Sequence, residues 1–432
     1  MKSIIDELAG KYADGREPFL IGPGGSLCFA DIHQSQDLDL SGVNAGDVVA
    51  LVGDFDARSI ATMLRLVDRN AIVVPLTEDT EPQHPYFCEQ AGVTITIRGD
   101  RVARHDSPRS THPILGELRR RGNPGLILFS SGSTGRPKAI LHDLSHFLAR
   151  YRTPRPTWRT LAFLRFDHIG GINTLLHTLF NRGVLIVPSA RTPEGILDEV
   201  RRFDVELLPT TPTFLRMLLL ADLLSDASLP SLRVITYGTE RMNQPTLDRL
   251  TQLLPNTDFR QTFGMSELGI LRVKSRARDS LWIQIGGEGV ETRIVDRVLQ
   301  IRSPHRMLGY LNAPDPFVDG WYDTGDLADE DAGFIRIVGR SRDVINVGGL
   351  KVLPSEIERV ALMHPEVVRA KAAGAENPVT GQHIEVTCQL TPGSAADRQA
   401  LRDHFARQLP PDFRPQRIRI GEVRISHRFK QE

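Results

Sequence analysis

Nine consecutive residues, Ser130, Ser131, Gly132, Ser133, Thr134, Gly135, Arg136, Pro137 and Lys138, carry the densest chemistry in the chain. They follow directly on the apolar run Leu126–Phe129. Hydroxyls and glycine amides packed this closely offer many short hydrogen-bond donors. The glycines let a backbone approach, and Lys138 brings a cation. Such a set suits a polyphosphate. It is not the GxxxxGK[ST] loop, because Lys138 follows Pro137 and no Ser or Thr comes after it. A Ser- and Gly-rich segment also makes an ordinary surface turn, so the loop needs partners elsewhere in the chain.

Holding such a loop takes a buried strand in front of it and a scaffold around it. Val48–Val52 reads as a buried strand, Ala57–Val67 as a helix and Ala71–Pro75 as the next strand, a βαβ unit that implies a parallel sheet. Further strands are expected at Val93–Ile97, Leu126–Phe129, Val184–Val187, Leu207–Leu208 and Val234–Thr236, with helices at Pro193–Phe203 and Thr213–Leu224. Alternation sustained this long indicates a layered α/β fold. After about Ser275 the texture changes. Glu291–Val295 and Val298–Ile301 alternate apolar and polar residues around Asp296–Arg297, as a hairpin in an antiparallel region would. Beyond Arg340 a compact α+β unit is expected: helix Pro354–Met363, strands Ala370–Gly374 and Ile384–Leu390, helix Ala395–Leu409 and strand Arg417–Ile420. The best boundary is the glycine- and charge-rich Val338–Gly349. It divides a large domain, 1–339, from a small one, 340–432.

The length of 432 residues calls for more than one core. Lysine plus arginine equals aspartate plus glutamate, 53 each, so no net field draws the molecule to nucleic acid or to a membrane surface. Cys28, Cys88 and Cys388 are far apart and lack CxxC spacing, which signals neither a disulfide framework nor zinc. The opening MKSIIDELAG is amphipathic and acidic, unlike a signal peptide. No run reaches the length of a membrane span, and Phe214–Leu224 is broken by Arg216 and Asp222. A cytoplasmic protein is expected.

Other motifs follow the loop in a fixed order: Phe166–Gly171 (FDHIGG), Tyr237–Glu240 (YGTE), Gln261–Glu267 (QTFGMSE), Tyr322–Leu327 (YDTGDL) and Gly339–Glu358. With Ser130–Lys138, this series resembles the acyl-adenylate-forming superfamily of acyl- and aryl-CoA synthetases, peptide-synthetase adenylation domains and luciferases. The resemblance spans about residues 45–432. It implies a large N-terminal domain of layered α/β sheets joined by a hinge to a small α+β domain. It also implies activation of a carboxylic acid by Mg·ATP to an acyl-adenylate, with transfer to CoA or a phosphopantetheine arm.

The resemblance assigns roles residue by residue. Ser130–Lys138 hold the β- and γ-phosphates. Ser266 donates to the α-phosphate, and Glu267 ligates Mg²⁺, a hard cation suited to one carboxylate plus phosphates. Gly238, Thr239 and Glu240 form the adenine loop, flanked by Gln261, Thr262, Phe263, Gly264 and Met265. Phe263 replaces the usual tyrosine and keeps the stacking face. Asp326 accepts from the ribose hydroxyls and Arg340 donates to the same sugar. Taken alone, FGMSE would equally make a helix N-cap, and TGD a turn.

For the acyl half, His168, Gly171 and Tyr237 line the pocket in the resemblance, with Gly170 and Gly171 leaving room for an acyl chain and Phe163, Ile172 and Thr211 as further walls. A lone histidine there is also an ordinary structural group. Asp167 stands where peptide-synthetase domains bind an α-ammonium, so an amino-acid substrate stays open. Arg342, beside Asp343, falls at the hinge, and Gly348 and Gly349 would face the thiol tunnel. Lys351, Arg359, Arg369 and Lys371 are candidates for a CoA nucleotide site.

The match is weakest at the end. Lys430 stands at the right distance from Arg417–Ile420 to be the adenylating lysine, but Phe429 and Arg424 replace the expected glycine and proline, and Arg428 is the second choice. Only about 130 residues precede the loop, so the first subdomain is expected to be trimmed, leaving a more open or homodimer-covered acyl pocket. The carboxylic acid itself is not legible, and the acceptor is CoA, an acyl carrier protein or an amine. A weakened member acting as a binding module is the alternative of another class.

Overall fold

The computed structural model describes residues 3–12, 15, 17–34, 38–106, 108–130, 136–225, 229–287, 289–426 and 430. The chain forms two units. One comprises Met1–Pro209, Gly264–Ile270 and Pro304–Pro316; the other comprises Thr210–Phe263, Leu271–Ser303 and Phe317–Glu432.

The first unit is built on a seven-stranded sheet. Its order runs Gly309–Tyr310, Ala139–Asp143, Gly125–Phe129, Ile72–Leu76, Val48–Val52, Ile95–Arg98 and Arg101–Arg104. The four strands from Gly125–Phe129 to Ile95–Arg98 are parallel, as the βαβ reading requires. Successive side chains of a strand point to opposite faces, and here both faces are buried. Val49, Leu51, Val73, Leu126 and Leu128 enter one core, while Val48, Ala50, Ile72, Val74 and Ile127 enter another. Burial on both sides explains why these strands read as unbroken β-branched runs. Helix Ala57–Asp68 begins at Asp56, whose carboxylate accepts from Ser59 N, and it feeds Ile60, Met63 and Leu64 into the first core. A second sheet in this unit includes parallel strands Pro18–Gly22, Val184–Ile186 and Arg159–Leu161.

The second unit carries three substructures. Val234–Tyr237 and Asp258–Gln261 pair in parallel. Seven strands then form an antiparallel sheet, six of them ordered Arg272–Ser275, Ile283–Gly286, Phe334–Arg340, Trp321–Asp331, Val298–Arg302 and Glu291–Val295, with Phe317–Val318 paired to Trp321–Asp331 off that path. The third is the α+β substructure. Strands Leu350–Val352, Ile345–Val347, Gly381–Leu390 and Val367–Asn377 lie side by side, with Arg417–Ile420 added in parallel to Gly381–Leu390. Helices Pro354–Ala361 and Arg398–Gln408 close its core through Ile357, Val360, Leu401 and Phe405.

The element boundaries follow local chemistry. Val48–Val52 and Arg417–Ile420 occur as read, and Pro193–Arg202 ends one residue early. The expected helix to Leu224 stops at Leu220, shortly before Asp222 turns left-handed at φ +51°. Met217 and Leu219 carbonyls are already taken by the Ala221 cap. The hairpin at Asp296–Arg297 is present, and both turn residues have positive φ, +49° and +67°, matching a type I′ turn between right-twisted strands.

Neither turn residue is glycine, so Arg297→Gly should raise stability by about 0.5–1 kcal/mol. The exposed Arg297–Asp329 pair at 3.3 Å adds little to oppose that gain. A denaturant midpoint that falls in the variant would contradict this expectation.

Candidate functional site

The phosphate-type loop does not lead from a strand into a helix. Gly125–Phe129 and Ala139–Asp143 are antiparallel neighbours, so the loop is the tip of a hairpin. Its base is closed by Ser130 N donating to Lys138 O at 3.1 Å, and by Lys138 N donating to Ser130 Oγ at 3.3 Å. Among the described residues no helix follows the strand here, so no helix N-terminus stands behind Lys138. Ser131, Gly132, Ser133, Thr134 and Gly135 lie outside the described residues. Pro137, on the far side, is pinned by two donors to its carbonyl: Tyr86 Oη at 3.0 Å and Asn312 Nδ2 at 3.0 Å.

Ser266 and Glu267 sit at the turn between the short strands Gly264–Met265 and Gly269–Ile270. The helix-cap alternative does not occur, because Gly269, at φ +73°, turns the chain back on itself. Gly264 is required by that tight pairing, since a Cβ there would lie 2.7 Å from the Gly269 carbonyl oxygen. Two residues absent from the sequence reading hold this turn. His142 Nε2 donates to Ser266 O at 2.6 Å, and Tyr310 Oη donates to Glu267 Oε1 at 2.7 Å. Burial pushes the His142 imidazole down to about 4, so it is neutral with its proton on Nε2. Glu267 is 8% exposed, and Met307 N donates to its backbone carbonyl at 2.7 Å. The Lys138 ammonium lies 4.8 Å above the Tyr310 ring centroid. Ser130, Lys138, Ser266 and Glu267 are thus brought together through His142 and Tyr310.

Asp167 and His168 occupy the same unit. Asp167 is buried, and its Oδ2 accepts from Thr77 Oγ1 at 3.4 Å. His168 caps helix Ile169–Phe180, with Nδ1 accepting from Gly170 N at 3.0 Å. The glycines that follow are explained by close packing rather than by room for an acyl chain. A Cβ on Gly170 would meet Leu164 Cδ1 at 2.5 Å, and one on Gly171 would collide with the Arg165 carbonyl oxygen. Phe163 and Ile172 are fully enclosed in this unit.

The second unit gathers the remaining motifs in two clusters. Tyr237 and Gln261 end parallel strands as register partners, and Thr262 N donates to Tyr237 O at 2.8 Å. Ligands in open parallel sheets commonly sit beyond such carboxyl ends. Gly238 must be glycine, because a Cβ would strike Thr262 Oγ1. Thr239 has φ +69°, a strained value for a β-branched residue. Glu240 turns inward: Oε1 accepts from Thr213 N at 2.6 Å, at the start of helix Pro212–Leu220, and Oε2 lies 4.0 Å from Arg216. Tyr237 and Thr211 are enclosed, and burial pushes the Tyr237 phenol well up, so it stays protonated. Gln261 Oε1 is buried without a hydrogen-bond partner among the described residues. Phe263 is half-buried.

In the other cluster, Asp326 and Arg340 face each other across strands Trp321–Asp331 and Phe334–Arg340, with Arg340 Nε 2.7 Å from Asp326 Oδ1. Arg340 Nη1 also donates to Thr324 O at 2.9 Å, and Thr324 Oγ1 accepts from Asp326 N at 3.0 Å. Burial nonetheless raises the Asp326 carboxyl to about 6, outweighing Arg340. The arginine is 47% exposed and its charge is largely solvated, which accounts for that balance.

Arg342 is exposed and pairs with Asp343 at 3.4 Å. Gly348 and Gly349 take φ +59° and +92° in the two-residue turn between Ile345–Val347 and Leu350–Val352, a conformation that accounts for both glycines. Lys351, Arg359 and Lys371 are exposed, but Arg369 is not available to a CoA nucleotide. It is only 7% exposed and donates to Gln389 Oε1 at 3.3 Å. Lys430 closes a turn with Ser426, whose N donates to Lys430 O at 2.9 Å while Lys430 N donates to Ser426 Oγ at 3.2 Å. Arg428 and Phe429 lie outside the described residues.

The family model for AMP-binding enzymes matches residues 35–311, well over half of the chain. The chain belongs to the AMP-binding enzyme family. Among curated proteins, this member is 28% identical over 67% of its length to a sulfoacetate–CoA ligase of Cupriavidus necator, and the match covers 63% of that relative. It is 25% identical over 91% of its length to the fatty acid–[acyl-carrier-protein] ligase ScoC of Streptomyces coeruleorubidus, of which 87% is covered. Among solved structures, ATP-bound MatB from Rhodopseudomonas palustris superposes with a TM-score of 0.79, 20% identity, and coverage of 98% of this chain and 96% of that one. The fold is therefore that of layered α/β sheets in a large N-terminal domain, with a smaller C-terminal domain. No helix among the described residues is long and apolar enough to cross a membrane.

Two expectations test this geometry. Gly171→Ala should destabilise by about 1–3 kcal/mol, because the added methyl displaces backbone; an unchanged unfolding midpoint would show that the chain has slack there. Asp326 should make nucleotide affinity depend on pH. Its folded value, about 6, lies above the ordinary 3.8. The neutral form therefore contributes stability that is full below about pH 4 and is lost as pH rises through about 6. If Asp326 receives a ribose, binding should run the opposite way, since only the carboxylate offers acceptors to both hydroxyls. AMP affinity measured by calorimetry should rise between about pH 5 and 7, and Asp326→Asn should flatten that rise. A flat wild-type profile would refute the assignment.

Proposed function

We propose that the protein activates a carboxylic acid with Mg·ATP, releasing pyrophosphate and forming an acyl-adenylate, and then transfers the acyl group to a thiol. The observation that carries this reading is the joining of Lys138, Tyr310 and Glu267 beside the base of the Ser130 loop. A cation and an anchored buried carboxylate, set next to a hydroxyl-rich loop, suit a metal–polyphosphate leaving group.

In this reading the acid's carboxylate attacks the α-phosphorus and the bond to the β,γ-pyrophosphate breaks. Negative charge grows on the α-phosphate oxygens and on the leaving group, where fixed donors lower the barrier. Ser130–Lys138 take the pyrophosphate and Ser266 the α-phosphate. Tyr237–Glu240, Gln261 and Phe263 receive the adenine, and Asp326 with Arg340 the ribose. A Mg²⁺ ion bound at Glu267 would neutralise phosphate charge. One protein carboxylate fits a metal held mainly by phosphates, and no cluster of three or more metal-ligating side chains occurs among the described residues. Lys430 is assigned to bridge the incoming carboxylate and the α-phosphate. Residues 340–432 are assigned as the mobile domain and Arg342 as its pivot, an exposed charge that tolerates large backbone change.

ATP–pyrophosphate exchange across a panel of aliphatic, aromatic and amino acids tests the reading. Exchange should require one acid class and fall about 100-fold in Lys430→Ala and Glu267→Gln. No exchange with any acid would leave a binding module as the better account, and exchange indifferent to Lys430 would move the bridging role elsewhere.

Transfer to the phosphopantetheine of a carrier protein is the second reading. It is supported by the likeness to the ScoC carrier-protein ligase along nearly the whole chain, and by burial of Arg369, which removes one candidate cation for a CoA nucleotide. Thioester formation with free CoA should decide between them: product with a loaded carrier protein and none with CoA would select the second.

A further inference from the structure

Arg241 follows directly on the Tyr237–Glu240 loop and lies half-buried. Its guanidinium reaches two backbone carbonyls, Nη1 donating to Val338 O at 3.0 Å and Nη2 to Ser355 O at 3.2 Å. Ser355 completes the junction, since its Oγ donates to the same Val338 oxygen at 2.6 Å. Val338 stands two residues before Arg340 in strand Phe334–Arg340, and Ser355 is the second residue of helix Pro354–Ala361. These bonds therefore bracket residues 339–354. Inside the bracket lie Arg340, paired with Asp326, then Arg342, then the Gly348–Gly349 turn.

The chemistry suits a clamp better than a surface charge. A guanidinium is a planar fork whose donors point in fixed directions, so bridging two carbonyls sets the distance between them. Burial disfavours the charge here, while the carboxylates of Glu358 and Glu356 favour it. Bonds from a charged donor to carbonyls are stronger than neutral ones.

We propose that Arg241 is a positioning residue that clamps both ends of segment 339–354, holding Arg340 against Asp326 and latching the pivot at Arg342 until the clamp releases. The clamp stands on its own contacts; the pivot and the sugar-facing role of Arg340 rest on the function proposed above. In one arrangement Arg241 thus links the end of the Tyr237–Glu240 loop to the sugar-facing arginine and to the first turn of the helix beyond it.

Hydrogen-exchange mass spectrometry on the full-length protein tests the clamp without any acid substrate. Arg241→Gln should speed exchange in 339–354 about tenfold, as loss of a charge-assisted bond requires. It should weaken AMP binding about three- to tenfold through the loosened Arg340. Arg241→Lys, which keeps the charge but not the fork, should fall between wild type and Arg241→Gln. Ser355→Ala should produce a smaller rise confined to the same segment. Unchanged exchange in 339–354 for Arg241→Gln overturns the proposal. So does a rise spread equally over Val234–Tyr237 and Pro212–Leu220, which marks a residue needed only for folding. If AMP binds neither wild type nor variants, the nucleotide assignment fails while the exchange comparison still decides the clamp.

Discussion

The hydrogen bond from the Tyr310 hydroxyl to the Glu267 carboxylate joins stretches of chain that no local rule would bring together. Glu267 is buried, and a buried carboxylate without a donor is costly enough to be avoided or neutralised. Tyr310 supplies the donor from a two-residue strand paired to Ala139–Asp143, the strand that leaves the Ser130–Lys138 loop. The same ring lies beneath the Lys138 ammonium. One aromatic residue therefore sets the loop's cation and the acidic turn relative to each other, and the hairpin form of the loop follows from the sheet that carries all of them.

The second unit solves a related problem with backbone. Asp326 is held by Arg340, and Arg340 is directed by the Thr324 carbonyl. Glu240 is drawn away from solvent to the first turn of helix Pro212–Leu220. Asp326 and Glu240 are thus each held by a specific donor. That is the condition under which charges remain where a ligand can meet them.

Some residues singled out by motif have local duties that account for their identity. Gly171 permits close approach to the Arg165 carbonyl, and Gly348 with Gly349 supplies a left-handed turn. His168 caps a helix. A motif position can therefore be demanded by packing as strongly as by chemistry. Arg369 carries the converse lesson. Its charge suggested a surface role, but it is buried even though it shares the strand face of exposed Lys371, opposite core residues Ala370 and Ala372, and Gln389 accepts from it.

What the sequence determined by itself was whatever depends on neighbours along the chain. The β-branched run Val48–Val52, the turn at Asp296–Arg297 and the strand Arg417–Ile420 follow from period, propensity and turn chemistry. Motif order was legible too, and with it the family and the layered α/β plan. Only the tertiary structure decided which side chains hold those motifs in place. His142 sits in a strand that reads as ordinary core, and Tyr310 in a segment with no motif. Arg241 follows a motif without belonging to it. Their partners lie 124, 43 and 97 or 114 residues away in the chain. Such bonds are selected by burial, which penalises every unmade donor and acceptor, and burial is a property of the folded chain that no local pattern expresses.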